Sequence, residues 1–257
     1  MDINLKNKVA VITGGTRGIG LAIAETFARA GAEIAICNEV PSEVKNTLEY
    51  LEKHGLKAYG EPVDVSKRSD IFAFAENVER HFGGIDIWVS NAGAFVPYKI
   101  IDTTEEQWQM IMDVNIKSTY YGGLIAADKI RKRGGGVLIN AASFASLMPA
   151  VGSGAYATSK AAIYSMTKSL AAELAPFNIR VIGYVPGVID TQMNAPIIKS
   201  KGESIKNPIA LKRIGEPQDV ANAVLFAASD MASYITGTFI EIAGGKFCVQ
   251  NPQDAWS

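Results

Sequence analysis

Histidine and cysteine are scarce in this chain, and several kinds of chemistry go with them. Among 257 residues there are 2 His and 2 Cys. Cys37 and Cys248 lie far apart, so neither a disulfide framework nor a Cys/His metal-ligand spacing can be drawn. No metal is expected. The scarcity of thiol pairs fits a reducing compartment, and the cytoplasm is the expected location. His54 and His81 fall near helix ends, where an imidazole complements the helix dipole. Ser, His and Asp assemble into no hydrolase motif. An excess of either charge is also lacking: 25 Lys and Arg stand against 26 Asp and Glu. Neither nucleic acid nor an anionic membrane surface is an expected partner, and "RKR" at 131–133 is a short solvated run. No apolar run approaches membrane length, and the opening "MDINLKNKVAVITGG" lacks a signal-peptide layout.

The chain does hold short Val- and Ile-rich runs that alternate with helical patterns. Strands are predicted at "VAVIT" (9–13), "IAIC" (34–37), "IDIWVS" (85–90), "GVLINAAS" (136–143), "IRVIGYVP" (179–186) and "TFIEIAGG" (238–245). Runs that are apolar on both faces suit buried parallel strands. Val44, Leu48 and Leu51 keep helical spacing and Gly55 ends it; Ile71, Phe74, Val78 and Phe82 do the same ahead of Gly83. Thr104 with Gln107 predicts a capping box, and Pro217 suits the first turn of a late helix. This alternation predicts an α/β fold: one domain over 1–257, a doubly wound, Rossmann-type, mostly parallel sheet with helices on both faces. The segment 188–215 has no clear period and reads as a substrate loop or lid, and 247–257 is a C-terminal tail.

Two places carry chemistry. The first strand runs into "TGGTRGIG", where Gly14, Gly18 and Gly20 precede an apolar stripe at Ile19, Ile23 and Phe27. A strand, a glycine turn and a helix start together offer backbone N–H groups and partial positive charge to a pyrophosphate. Asn38 and Glu39 end the second strand, near where dinucleotide folds hold the ribose hydroxyls. The second place is Tyr156 with Lys160, four residues apart on one helix face. Taken alone, this spacing usually marks a surface helix pair. A buried cation beside a phenol would lower the phenol pKa and fit it to exchange a proton with a substrate oxygen. Ser143, at the end of a buried strand, is placed to hydrogen-bond the same oxygen.

"TGGTRGIG", "DV" (64–65), "SNAG" (90–93), "DVNIKS" (113–118), "NAAS" (140–143), "YATSK" (156–160) and "PGVIDT" (186–191) occur in this order. Together they resemble the short-chain dehydrogenase/reductase family, over about residues 6–246. The resemblance is nearest to bacterial 3-oxoacyl-carrier-protein reductases and related ketone or polyol dehydrogenases. It implies hydride transfer between NAD(P) and a ketone or secondary alcohol, with Asn115, Ser143, Tyr156 and Lys160 as catalytic tetrad. Tyr156 would be the general acid and Ser143 would orient the carbonyl. Lys160 would hold the nicotinamide ribose, and Asn115 a water. Gly14, Arg17, Gly18, Ile19 and Gly20 would wrap the pyrophosphate and adenosine ribose. Asp64 and Val65 would line the adenine, and Asn91, Ala92 and Gly93 would pass beside the ribose. Pro186, Gly187, Ile189 and Thr191 would meet the nicotinamide carboxamide and phosphates. A homotetramer is implied, with the helices of 104–132 and 154–175 across one dyad and the last strand across another. The tail through Trp256 is expected against a neighbouring subunit.

The sequence departs from its relatives at Ser90, where many have Asn, and at Ala243, often an aspartate. For the coenzyme, Arg17 favours a 2′-phosphate, Glu39 opposes one, and Asn38 can hydrogen-bond a ribose hydroxyl. The balance tips to NAD(H) over NADP(H). Against the enzyme stand two other readings: a nucleotide-binding regulator, which would have no need of Tyr156, and a sugar-nucleotide epimerase, which usually carries a larger C-terminal region.

Overall fold

The computed structural model describes residues 3–256. Seven parallel strands form one sheet in the order β3-β2-β1-β4-β5-β6-β7. They are β1 (Val9–Thr13), β2 (Glu33–Asn38), β3 (Ala58–Pro62), β4 (Ile87–Ser90), β5 (Gly136–Ala141), β6 (Ile179–Pro186) and β7 (Phe239–Ile242). The order reverses between β1 and β4, which opens a crevice beyond their carboxyl ends, the place where open α/β sheets bind ligands.

Side-chain alternation sends each strand into two cores. Ala10 and Ile12 of β1 join Ile87 and Val89 of β4 on one face, under α1 (Gly18–Arg29) and α8 (Pro217–Ala228). Val9, Val11 and Trp88 face the other side, where Phe74 and Val78 of α3 (Arg68–Phe82) pack with Ile125 and Leu174. Both faces are covered, so the strands read as unbroken apolar runs. Strand β3 is the exception: "AYGEP" has no such run and the sequence does not announce it. It is an edge strand, half-buried, and the backbone ladder with β2 rather than an apolar pattern specifies it.

α2 (Pro41–Lys53) starts with proline in its first turn. Gly83 ends α3 in the left-handed conformation, at φ 82°, as the sequence predicts. The Thr104–Gln107 capping box is formed at both hydrogen bonds. The helix that follows is not regular. α4 (Glu105–Ile111) passes through a π-helical stretch (Met112–Lys117) into α5 (Ser118–Ile125), and then a second one (Ala126–Ile130). Asn115 lies within the first π stretch; such turns re-aim side chains and often mark functional sites. α6 (Gly154–Leu174) carries Tyr156 and Lys160. Within 188–215, α7 (Ala195–Lys201) and a 3₁₀ turn (Gly202–Lys206) form structure that the sequence pattern conceals.

Candidate active site

The glycine turn closes β1 onto α1. Gly14 has φ 63°, and a Cβ on Gly20 would lie 2.1 Å from the Gly14 carbonyl oxygen, so this crossing admits no side chain. The N-cap residue Arg17 makes no side-chain cap, which leaves the first N–H groups of α1 to other partners. A Cβ on Gly18 would stand 3.3 Å from Thr191, so the segment after β6 meets the turn. A backbone cradle of free donors fits a pyrophosphate.

Residues distant in sequence brace this cradle. The Thr13 hydroxyl accepts from the backbone N–H of Asn91 and of Ala92, each at 3.0 Å. The Asn91 amide donates to the carbonyls of Thr13 (2.9 Å) and Gly14 (3.1 Å), and the Tyr184 hydroxyl donates to Asn91 Oδ1 (2.9 Å). Glu43, from the first turn of α2, holds Arg17 Nη1 at 2.8 Å and accepts from Thr16 Oγ1 at 3.1 Å. Asn38 Nδ2 donates to Thr16 Oγ1 at 2.8 Å, while Glu39 is exposed. Asp64 and the buried Val65 follow β3. Burial pushes the Asp64 carboxyl up, but hydrogen bonds from Ser66 and the charge of Lys67 more than reverse this and leave it below its usual range. Ile189 is buried and pairs with Gly215, closing the base of the 188–215 segment. Gly187 donates its N–H to Ile242 beside Pro186.

The second group gathers at the ends of β4 and β5. The Ser143 hydroxyl lies in hydrogen-bonding reach of the Tyr156 phenol and accepts from Ala145 N–H at 3.1 Å. Lys160 Nζ, buried, donates to the Ala141 carbonyl at 2.8 Å and stands 5.7 Å from the centre of the Tyr156 ring. A Cβ on Gly93 would lie 3.5 Å from that ammonium and 3.4 Å from Asn115 Oδ1. Phe95 meets the Tyr156 ring edge-on at 5.3 Å. Asn115, fully buried, accepts from Ala94 N–H at 2.8 Å and donates to Ala94 O at 3.1 Å and Ser159 Oγ at 2.8 Å. Its amide thus joins the segment after β4 to α6.

The electrostatics differ from expectation. With its ammonium donating to the Ala141 carbonyl, Lys160 is not among the groups that move the Tyr156 pKa. Withdrawal from water raises the phenol, with the Ser143 hydrogen bond pulling the other way, and burial drops the ammonium to about 8. Both groups are therefore held toward their neutral forms.

In the tail, Trp256 Nε1 donates to Ala210 O at 3.0 Å, and Phe247 N–H donates to Pro208 O at 2.9 Å, so it packs on the 188–215 segment of its own chain. The sequence assigns no role to Thr13, Thr16, Glu43, Ser159 or Tyr184, because their partners are brought to them only by folding.

A family model described as enoyl-(acyl carrier protein) reductase matches residues 14–246. A 3alpha-hydroxysteroid dehydrogenase of Mediterraneibacter gnavus is 37% identical over 95% of this chain and 98% of its own length. This chain belongs to the short-chain dehydrogenase/reductase family. The human dehydrogenase/reductase SDR family member 4 is 39% identical over 94% of this chain and 88% of its own. A solved structure of a 7 alpha-hydroxysteroid dehydrogenase complexed with NADH and 7-oxo glycochenodeoxycholic acid superposes with a TM-score of 0.88, at 31% identity, covering 95% of this chain and 96% of that one. The protein is an oxidoreductase acting on hydroxyl and keto groups, in a family that binds NAD(P)H. Among the described residues no helix is long and apolar enough to cross a membrane, and no three His, Cys, Asp or Glu could hold a metal.

Proposed function

We propose that this short-chain dehydrogenase/reductase interconverts a largely apolar ketone and its secondary alcohol, with Tyr156 as the proton-exchanging group. The observation that carries the reading is the buried Lys160 ammonium 5.7 Å from the centre of the Tyr156 ring, one helical turn away, with Ser143 beside the phenol. In reduction, Tyr156 gives its proton to the carbonyl oxygen while Ser143 donates a hydrogen bond to the same oxygen. The raised phenol pKa keeps that proton in place until the oxygen takes it. Bound nicotinamide coenzyme supplies or accepts the hydride. Lys160 holds the ribose on the nicotinamide side, and its charge, released from the Ala141 carbonyl, favours the phenolate as the proton leaves. The Asn115 amide fixes the position of α6, so a water bound to Asn115 would sit on its main-chain carbonyl. Gly14, Arg17, Gly18, Ile19 and Gly20 hold the pyrophosphate and adenosine; Asn38, Asp64 and Val65 border the adenosine, and Asn91, Ala92 and Gly93 the ribose. Pro186, Gly187, Ile189 and Thr191 hold the nicotinamide side.

The coenzyme of choice is NADH. Glu43 occupies Arg17, so a 2′-phosphate would have to compete with a carboxylate for that cation. An exposed pair of this kind is worth only about 0–1 kcal/mol. Glu39 adds a like charge on the same rim. Glu39→Arg combined with Glu43→Gln is expected to shift kcat/KM toward NADPH by about tenfold or more; a wild type that prefers NADPH would overturn the preference. The assembly is a homotetramer through α4–α5, α6 and the half-buried edge strand β7, and the protein works in the cytoplasm. Light scattering at micromolar concentration tests the mass. Exposed Phe95, Leu147, Met148 and Met193 around the site suit an extended apolar substrate such as the steroids named for two relatives. The direct test is a panel of steroid and aliphatic ketones and secondary alcohols with both coenzymes, followed by coenzyme absorbance. No turnover of any of them would sink the reading.

A further inference from the structure

Among the described residues, Lys246 is a cation that leaves solvent without an anionic partner. Other cations that leave solvent find partners: Lys129 sits 2.6 Å from Glu79, and Arg180 donates to three backbone carbonyls. Lys246 is partly buried, and what surrounds its ammonium is two aromatic faces, Phe144 at 4.9 Å and Phe247 at 5.7 Å from their centres. Among the described residues no carboxylate lies against it. Burial first, and then repulsion from Lys201 at the end of α7, hold the Lys246 pKa below its ordinary value. A desolvated cation next to a second cation is costly without an anion.

Its place in the fold gives that anion a meaning. β5, β6 and β7 are parallel, and their carboxyl ends lead respectively to Ser143, to 187–191 and to Lys246. All three lie at the ligand-binding end of the sheet. Phe144, whose ring carries the ammonium, directly follows Ser143. The backbone that presents Lys246 is constrained: Gly244 and Gly245 have φ of 61° and 70°, and Phe247, a non-glycine residue, has φ 52°. Conformations of this kind persist where surrounding structure imposes them, here through the Phe247 N–H to Pro208 bond and the Phe144–Phe247 ring contact at 6.2 Å.

We infer that Lys246 is the binding site for a carboxylate carried by the substrate at a distance from its reacting carbonyl, so that the substrate class is an apolar keto acid or hydroxy acid. This rests on the oxidoreductase reading above and deepens it. Lys246 is a specificity residue that binds one end of the substrate while Tyr156 and Ser143 serve the other.

The test pairs linear methyl-ketone acids of increasing chain length with their methyl esters, using NADH and wild type, Lys246→Met and Lys246→Arg. Calorimetric titration of decanoate and decanamide accompanies it, since that requires no turnover. Wild type is expected to prefer acid to ester at least about fivefold in kcat/KM, through KM, and to bind decanoate over decanamide. Lys246→Met should abolish both preferences, leaving the ester reaction within about twofold of wild type, and Lys246→Arg should restore most of both. Equal use of acid and ester by wild type, with brisk turnover, would overturn the carboxylate site and leave the oxidoreductase standing. A changed assembly mass in Lys246→Met with an unmoved acid-to-ester ratio would also overturn it, and would assign Lys246 to a subunit contact. Decanoate binding that needs Lys246, without turnover of any ketone, would support the site while the oxidoreductase reading failed.

Discussion

The two ends of the cleft are built differently. Around the glycine turn, Thr13, Asn91 and Tyr184 form one set of hydrogen bonds and Thr16, Asn38 and Glu43 another, which together tie four strands or their loops and α2. The backbone crosses itself there at distances that only glycine allows. The far end, made of 144–151, the 188–215 segment and the tail, is held mainly by backbone bonds within its own turns and leaves Leu147, Met148, Val151, Met193 and Leu211 exposed. The end proposed for the coenzyme is thus braced by side chains distant in sequence, whereas the end proposed for the substrate exposes apolar side chains. The same contrast explains how one fold keeps one coenzyme and changes its substrates.

The largest effect should come from breaking the braced end. Gly20→Ala drives a methyl against the Gly14 carbonyl and the Asn91 amide, at 2.1 and 2.5 Å. Overpacking costs typically about 1–3 kcal/mol. The dissociation constant for coenzyme, measured by fluorescence titration, should rise roughly ten- to a hundredfold, while thermal unfolding shows the chain still folded.

A second test reads what the braced end costs in stability. Burial holds Lys160 at about 8 in the folded protein, against 10.5 in the unfolded chain. Between these values the unfolded chain binds more protons, so this residue makes stability rise with pH across that window. Below 8 the full penalty of the charged, buried ammonium applies. Lys160→Met should therefore raise stability at pH 7 by roughly 1–2 kcal/mol, after loss of the Ala141 hydrogen bond is counted. Urea unfolding at pH 7 and pH 10 should show the gain shrinking at the higher value, while turnover is lost at both.

The smallest effect belongs to the apolar end. Trp256→Ala removes the bond to Ala210 and frees the tail. It should change KM for substrate by about two- to fivefold and leave coenzyme affinity as it was, consistent with a few tenths to one kcal/mol for one exposed hydrogen bond. A matching loss of coenzyme affinity would mean that the two ends are not independent.

The same division governs what the sequence reveals. The glycine turn is legible because the turn, the close approach and the helix start are encoded within eight consecutive residues. Tyr156 and Lys160 are legible because four residues make one helical turn. The Glu43 contact to Arg17 spans 26 positions and the Tyr184 contact to Asn91 spans 93, and no local pattern carries either. Strand β3 escapes because an edge strand needs no apolar run, and the π turns around Asn115 leave no period of their own. Lys246 reads from sequence as one more basic residue of a tail; only the arrangement of rings and the missing carboxylate set it apart.

The central claim is that Tyr156 moves the proton and contributes little to holding the coenzyme. The measurement is kcat for a ketone alongside the coenzyme dissociation constant, in wild type and Tyr156→Phe. Removing a general acid costs typically about 10²–10⁴-fold. The account predicts a fall in kcat of that size with a coenzyme constant within about threefold of wild type; a variant that keeps more than about a tenth of kcat, or that loses coenzyme in proportion to rate, would contradict it.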